Sequence, residues 1–229
     1  MKIKGYKDII VKLAKQDDNP YKIIEEACSI TMKKNYFSNG KDITNLLSFL
    51  VSADHTSPFE HLNYTFHIIG ASRSYLAQQT RHRMASYSSA SQHYQNYSEY
   101  GFTVHDSLLN NKKLLKCLND CMKTYEELIK DGIPKYEARQ VLPNACENNL
   151  IISINARSLM NFFSQRLCYR NTDEIQIVAE KMYRLVLKHF PELWKLIGPV
   201  CFKTGVCNQG KMSCGTIWNQ EEVIKNVKK

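Results

Sequence analysis

Residues 61–68 alternate without a break. Leu62, Tyr64, Phe66 and Ile68 fall on one side, and His61, Asn63, Thr65 and His67 on the other. Successive side chains of a strand point to opposite faces, so this stretch is a strand buried on one face only. Gly70 ends it, and a helical pattern follows over residues 72–81. A half-buried strand running into a helix requires helices on the apolar face of a sheet, which restricts the chain to mixed architectures.

The remaining segments fit that restriction. The first 55 residues are expected to be helical. Ile23, Ile24, Ala27 and Cys28 recur at helical spacing, Asn39-Gly40 marks a turn, and Asp42 or Thr44 caps a helix carrying Leu46, Leu47, Leu50 and Val51 that Ser57-Pro58 closes. Residues 112–131 form the strongest helix, with a stripe of Leu114, Leu118, Cys121, Met122, Tyr125, Leu128 and Ile129. Cys117 and Cys121 there read as small buried hydrophobes. Gly132 stops it and Pro134 opens a short helix up to Val141. A strand over 150–154, a helix over 156–167 capped by Asn155, and an amphipathic helix over 173–189 broken by Pro191 complete the pattern. Residues 86–100 hold five Ser, four Tyr and two Gln with no period, which predicts a loop. The fold class is α+β: one domain over 1–200, helices around a small sheet of two or three strands, then a Cys/Gly-rich tail over 201–229 ending in frayed charged residues.

The 229 residues are 43% hydrophobic, enough for one core. No run of 18 uncharged apolar residues is present, and residues 1–5 lack the apolar run of a signal peptide, so a cytoplasmic protein without a membrane partner is expected. The eight cysteines then read as thiols. Cys168, Cys201, Cys207 and Cys214 are numerous enough for tetrahedral zinc, but their spacings lack the C-x-x-C of zinc sites, so free thiols are favoured and no metal is expected.

The formal charge is +9, from 31 Lys+Arg against 22 Asp+Glu, which favours anionic partners. Only eight of the basic residues are Arg. Six of them, Arg81, Arg83, Arg139, Arg157, Arg166 and Arg170, lie in segments that also carry dense polar clusters. Guanidinium forks suit phosphates and planar rings in a way ammonium groups do not. The centre of this pattern is residues 81–91, where Arg81-His82-Arg83 at a helix end runs into Ser86, Ser88, Ser89 and Ser91. Two guanidiniums followed by many neutral donors and acceptors suit a phosphorylated, hydrogen-bonding heterocycle.

Arg81, His82 and Arg83 followed after seven residues by Ser91 match the signature of the flavin-dependent thymidylate synthases. Three further segments resemble that family in the same order. They are His55-Thr56-Ser57-Pro58-Phe59-Glu60-His61, Ala138-Arg139-Gln140-Val141-Leu142-Pro143, and Asn155-Ala156-Arg157-Ser158-Leu159-Met160-Asn161-Phe162-Phe163 with Arg166 behind it. The resemblance extends from about residue 20 to about residue 195.

The resemblance implies a function. A homotetramer with sites shared between subunits would make dTMP from dUMP with FAD, using 5,10-methylenetetrahydrofolate and NADPH as co-substrates. It assigns FAD to Ser57, Arg81, His82, Arg83, Ser89, Asn155, Ala156, Arg157 and Asn161. It assigns dUMP to Gln78, Gln79, Thr80, Arg81, Ser89, Ala90, Ser91, Gln92, His93, Arg139 and Arg166. Arg139 would take the phosphate. Arg166 would favour the anionic uracil imide, since an adjacent cation lowers a pKa, and Ser91 would polarise the uracil; these two are the catalytic assignments. Arg157 and Arg166 are nine residues apart, half a turn out of phase, so one helix would serve two pockets or subunits. The chain departs from the family at Ser88-Ser89, where Asn-Glu is common, at His93, where Arg is common, and at Arg170, which replaces a His. Two rivals remain at this point: a nucleic-acid-binding module built on the basic charge and the Tyr/Gln/Ser tract, and a flavoprotein of this fold with an altered substrate.

Overall fold

The computed structural model describes residues 2–32 and 43–225. Asn39-Gly40 and Asp42 lie outside them. In chain order the elements are β1 (Ile3–Gly5), β2 (Ile10–Gln16), α1 (Pro20–Met32), α2 (Ile43–Ser52), β3 (Asn63–Ser72), α3 (Arg73–Gln79), β4 (Ser86–Ser89), β5 (Phe102–Val104), α4 (Lys112–Lys130), α5 (Lys135–Ala138), β6 (Glu147–Asn155), α6 (Ala156–Arg166), α7 (Asp173–His189), α8 (Pro191–Trp194), α9 (Val200–Thr204) and α10 (Gln220–Lys225).

A four-stranded antiparallel sheet in the order β2-β3-β6-β4 forms the frame, and β1 and β5 form a separate parallel pair. The alternation over 61–68 emerges as expected: Leu62, Tyr64, Phe66 and Ile68 are buried, and Asn63, Thr65 and His67 are not. β3 and β6 pair along most of their length, with a register shift between Ile68 and Ala71. Gly70 occupies that irregularity at φ 78°, a left-handed conformation that suits glycine. Its N–H donates to Asn149 Oδ1 at 2.7 Å and its carbonyl accepts from Thr103 Oγ1 at 2.8 Å.

The structure corrects several expectations. The N-terminal region is not all helix, because β1 and β2 precede α1. β2 is an edge strand paired only with β3, and its interleaved Lys12 and Lys15 suit an exposed edge. That composition hid it from a hydrophobic-period reading. Residues 86–89 are a strand: Ser86, Ser88 and Ser89 are exposed while Tyr87 is half-buried opposite Ile152. One apolar residue among serines gives no visible period. Helix α2 ends at Ser52, before Ser57-Pro58. Asp54 adopts a left-handed φ of 57° and His55 N–H reaches back to Leu50 O at 2.8 Å, a C-terminal cap. Ser57-Pro58 instead opens a 3₁₀ turn, Ser57–His61. In α4 the buried stripe is Leu118, Met122 and Tyr125, which leaves Cys117 exposed and Cys121 half-exposed rather than buried.

The main core lies between the sheet and α1, α2, α6, α7 and α8. Its aromatic centre is tied by polar contacts: Trp194 Nε1 donates to Tyr64 Oη at 3.2 Å and Tyr183 Oη to Trp194 O at 2.7 Å. Trp218 and Val223, from beyond residue 200, are buried in the same core. A second cluster of Tyr97, Phe102, Val104, Leu118, Met122, Tyr125, Ala138 and Cys146 sits under α4. Among the described residues no helix is long and apolar enough to cross a membrane.

Candidate active site

The fold gathers the predicted residues around two junctions, where β3 runs into α3 and where β6 runs into α6. Ser72 caps α3, its Oγ accepting from Tyr75 N–H at 3.0 Å. Asn155 caps α6, its Oδ1 accepting from Ser158 N–H at 2.9 Å. Caps of this kind contribute roughly 1 kcal/mol each and fix where the helix begins. β3 and β6 are antiparallel neighbours, so the two helices start at opposite ends of the strand pair, Ser72 opposite Glu147 and Asn155 opposite Asn63.

The end of α3 carries Gln78, Gln79, Thr80, Arg81, His82 and Arg83. His82 is buried at 7% exposure while Arg81 and Arg83 are exposed. The His82 ring packs edge-on against Phe162 of α6 with centroids 5.5 Å apart, joining the two junctions. Burial and the Arg166 guanidinium lower the His82 pKa from 6.5, against a raising contribution from the Ser158 backbone. The imidazole is therefore neutral at neutral pH, and the cationic cluster consists of arginines alone. Its Nε2 is buried with no hydrogen-bond partner, a condition that costs about 1–3 kcal/mol unless a partner arrives. Among the described residues Arg81, Arg83 and Arg139 have no ion pair or hydrogen bond from their guanidiniums. An orphaned nitrogen between two free cations fits a large anionic cofactor such as FAD.

The Gln78 side chain accepts from Thr172 Oγ1 at 2.8 Å, and Thr80 Oγ1 donates to Leu76 O at 2.9 Å. Gln79 is buried, with its Oε1 accepting from Tyr75 Oη at 2.8 Å. Arg166, at the end of α6, donates to Asn171 Oδ1 at 3.2 Å, and Asn171 Nδ2 in turn donates to Gln165 O and Cys168 O. Arg166 acts electrostatically on Tyr75, His82 and Tyr87, so it stands beside the end of α3.

The Ser57–His61 turn packs against α6. Arg157 pairs with Glu60 of the Ser57–His61 turn, both exposed. Exposed pairs contribute about 0–1 kcal/mol, so this guanidinium is readily exchanged to a ligand. Ala156 is buried and its N–H donates to Leu62 O at 2.8 Å. Asn161 is exposed and its Oδ1 accepts from Gln165 Nε2 at 3.1 Å. Arg157 and Arg166 lie roughly 14 Å apart along α6 at 1.5 Å per residue.

Ser89, Ala90, Ser91, Gln92 and His93 leave β4 in a held loop. Ala90 N–H donates to Asn149 O at 2.8 Å, and Ala90 O accepts from Asn148 Nδ2 at 3.0 Å and Tyr97 Oη at 3.3 Å. Ser91 Oγ accepts from His93 N–H at 3.2 Å, and no side-chain base touches it among the described residues. Ser89 is exposed and Gln92 buried. His93 stacks on Tyr94 at 4.5 Å and lies 5.3 Å from Tyr136 of α5. Lys135 Nζ reaches Tyr94 O at 3.3 Å, so α5, followed directly by Arg139, is docked on this loop. Sequence reasoning passed over Tyr75, Tyr87, Tyr97, Asn148, Asn171 and Thr172, all of which hold the predicted residues in place. Only the Tyr75–Gln79 spacing of four gave a signal.

A cavity of about 330 Å³ beside Arg166 is lined by Gln165, Cys168, Arg170, Asn171, Cys201 and Cys207 among others. Three thiols share it, yet among the described residues no three His, Cys, Asp or Glu side chains gather in a metal-binding group.

An antiparallel sheet whose two strand-to-helix junctions carry arginines around a buried neutral histidine, with Arg81 and Arg83 unpaired and Arg157 and Arg166 held by Glu60 and Asn171, has the chemistry to bind anionic, planar ligands. Comparison with known proteins narrows the class. The family described as thymidylate synthase complementing protein matches residues 9–192. The chain is 39% identical over 183 residues to the flavin-dependent thymidylate synthase of Geobacter sulfurreducens, covering 77% of this chain and 78% of that one. It is 34% identical over 233 residues to that of Clostridium tetani, covering 90% and 92%. Its fold is similar to that of a UMP/dUMP methylase, PolB from Streptomyces cacaoi, bound with 5-Br dUMP, with a TM-score of 0.75 at 23% identity over 85% of this chain and 96% of that one. The chain belongs to the family of flavin-dependent thymidylate synthases. That membership makes it a methyltransferase enzyme and leaves the nucleic-acid-binding reading without support.

Proposed function

We propose that this chain methylates dUMP to dTMP reductively, with bound FAD, 5,10-methylenetetrahydrofolate as carbon donor and NADPH as reductant, as a homotetramer that shares its sites between subunits. The observation that carries the reading is Arg166 standing beside a buried, neutral His82 whose Nε2 has no partner, flanked by two unpaired guanidiniums.

FAD, when bound, supplies hydride transfer and the relay of the one-carbon unit. Arg81, Arg83 and Arg157 hold its anionic and polar edges, and His82 Nε2 gains the partner it lacks. Ser57, Asn155 and Asn161 line the same approach. Arg139 takes the nucleotide phosphate as a fixed fork. Arg166 faces the pyrimidine, where a fixed positive charge stabilises negative charge at the imide. The Ser91 hydroxyl has no base to activate it, so it serves as a hydrogen-bond donor to the uracil rather than a nucleophile. At Ser89 and His93 the nucleotide meets a small hydroxyl and an imidazole stacked on Tyr94.

The test is an absorbance spectrum of the purified chain with and without dUMP, followed by tritium release from uracil-labelled dUMP with folate and NADPH supplied. A flavin spectrum perturbed by dUMP, together with tritium release, is expected. Colourless protein that does not take up FAD on reconstitution overturns the assignment. Yellow protein that releases no tritium moves the chain to the altered-substrate reading.

A further inference from the structure

Tyr87 lies outside every site residue assigned above, yet its hydroxyl sits at the end of α3. It donates to His82 O at 2.6 Å and lies 3.1 Å from Gln79 O. Gln79 Nε2 points back at the same oxygen at 3.5 Å, and Gln79 Oε1 is fixed by Tyr75 Oη at 2.8 Å. The two carbonyls that Tyr87 reaches bracket the turn carrying Arg81 and His82, with Arg83 next in the chain. Backbone bonds from Arg81 N–H to Gln78 O and from His82 N–H to Gln79 O form the turn's near side. Among the described residues no backbone–backbone bond ties Arg83, Met84 or Ala85. The far side of the turn is therefore held at His82 O by a side chain. That side chain comes from β4, where Tyr87 is paired with Ile152 of the central strand β6. A sheet-anchored ring is a rigid support for a turn that otherwise has little of its own.

We propose that Tyr87 is a positioning residue, whose hydroxyl pins the Gln79 and His82 carbonyls so that Arg81 and Arg83 leave the protein in fixed directions. The inference rests on the reading that these guanidiniums hold flavin and nucleotide. Pre-set cations lose less freedom on binding than wandering ones, so the pin acts on affinity before it acts on turnover. Burial raises the phenol pKa above 10, against smaller lowering contributions from Gln79 and Arg166. The hydroxyl thus remains a donor across the neutral range. Its ring also packs against the main core, which is why the hydroxyl, and not the ring, has to be removed to test the role.

The full-length chain is prepared with Tyr87→Phe and, separately, with 4-aminophenylalanine at the same position, which restores an N–H donor on the same ring. Flavin affinity, steady-state constants for dUMP and amide hydrogen exchange over residues 81–85 are measured, with the melting temperature as a check on folding. In Tyr87→Phe the KM for dUMP should rise about tenfold with kcat changed by no more than about threefold. Flavin should bind more weakly, and the Arg81 and His82 amides, which donate to Gln78 O and Gln79 O, should exchange faster. The amino analogue should recover most of each change. Wild-type KM, flavin affinity and exchange in Tyr87→Phe overturn the proposal, as does a loss confined to kcat. Exchange needs no ligand, so it separates two failures. Unchanged exchange refutes the pin itself, whereas faster exchange in a chain whose wild type binds neither flavin nor dUMP refutes the functional reading beneath it.

Discussion

Glu174 of α7 accepts two hydrogen bonds from Ser72, one from its N–H at 2.7 Å and one from its hydroxyl at 2.6 Å. The same Ser72 oxygen caps α3. A buried carboxylate 102 positions away in sequence thus sets the start of the helix that delivers Arg81 and His82 to the site. Glu174→Ala should strand both Ser72 donors and cost about 2–3 kcal/mol. Ser72→Ala should cost about 1–2 kcal/mol. Glu174→Gln, which keeps an acceptor, should cost less than either. Urea unfolding midpoints rank the three, and a harmless Glu174→Ala would mean that α3 is held by packing alone.

The neutral state of His82 gives a pH dependence with a definite sign. Its folded pKa lies below the ordinary 6.5. Between those two values the unfolded chain binds more protons than the folded one, so stability falls as pH is lowered through that window. The wild type should therefore lose more stability than His82→Gln between pH 7.5 and pH 5.5. Paired urea titrations at the two pH values measure the difference. Equal losses would place the His82 pKa at its ordinary value.

Ser91 is held in place by its neighbour: the Ala90 carbonyl is gripped by Asn148 and Tyr97, and the Ala90 N–H by Asn149 O. Asn148→Ala should raise the KM for dUMP and cost about 1–3 kcal/mol of stability. Ser91→Ala should retain measurable turnover, since it removes a hydrogen bond and no nucleophile. Complete loss of turnover with intact dUMP binding would argue for a covalent role of Ser91.

Arg166→Lys keeps the charge but loses the planar fork that Asn171 orients. Turnover should fall by about tenfold or more, equivalent to ~1.4 kcal/mol of transition-state stabilisation, with a smaller effect on dUMP affinity. Steady-state rates at saturating dUMP test it. A lysine enzyme of normal kcat would leave Arg166 a binding residue only.

Arg157 and Arg166 project from opposite sides of α6, about 14 Å apart along its axis. If they serve different pockets, activity should vanish when the assembly is dissociated. Sedimentation alongside activity over a dilution series checks this, and a fully active monomer would confine both arginines to one site.

The sequence determined by itself what local periodicity can encode. The alternation over 61–68 gave β3. The cap at Asn155 and the stripes at 112–131 and 173–189 gave α4, α6 and α7. The Arg81-His82-Arg83 tract with Ser91 gave the family, because those residues are adjacent enough to form a pattern. What escaped was whatever depends on a distant partner. β2, with lysines set among its apolar residues, and β4, mostly serine, lie at the two edges of the sheet, and only pairing with β3 and β6 makes them strands. The protonation state of His82 follows from Phe162, Ser158 and Arg166, which arrive from another helix. The supports of the site, Ser72 to Glu174, Tyr87 to His82 and Asn148 to Ala90, span from 5 to 102 positions. A hydroxyl or amide in sequence carries no sign of which carbonyl it will meet. Tertiary packing alone makes that choice, since a buried polar group must find a partner among whatever the fold brings beside it.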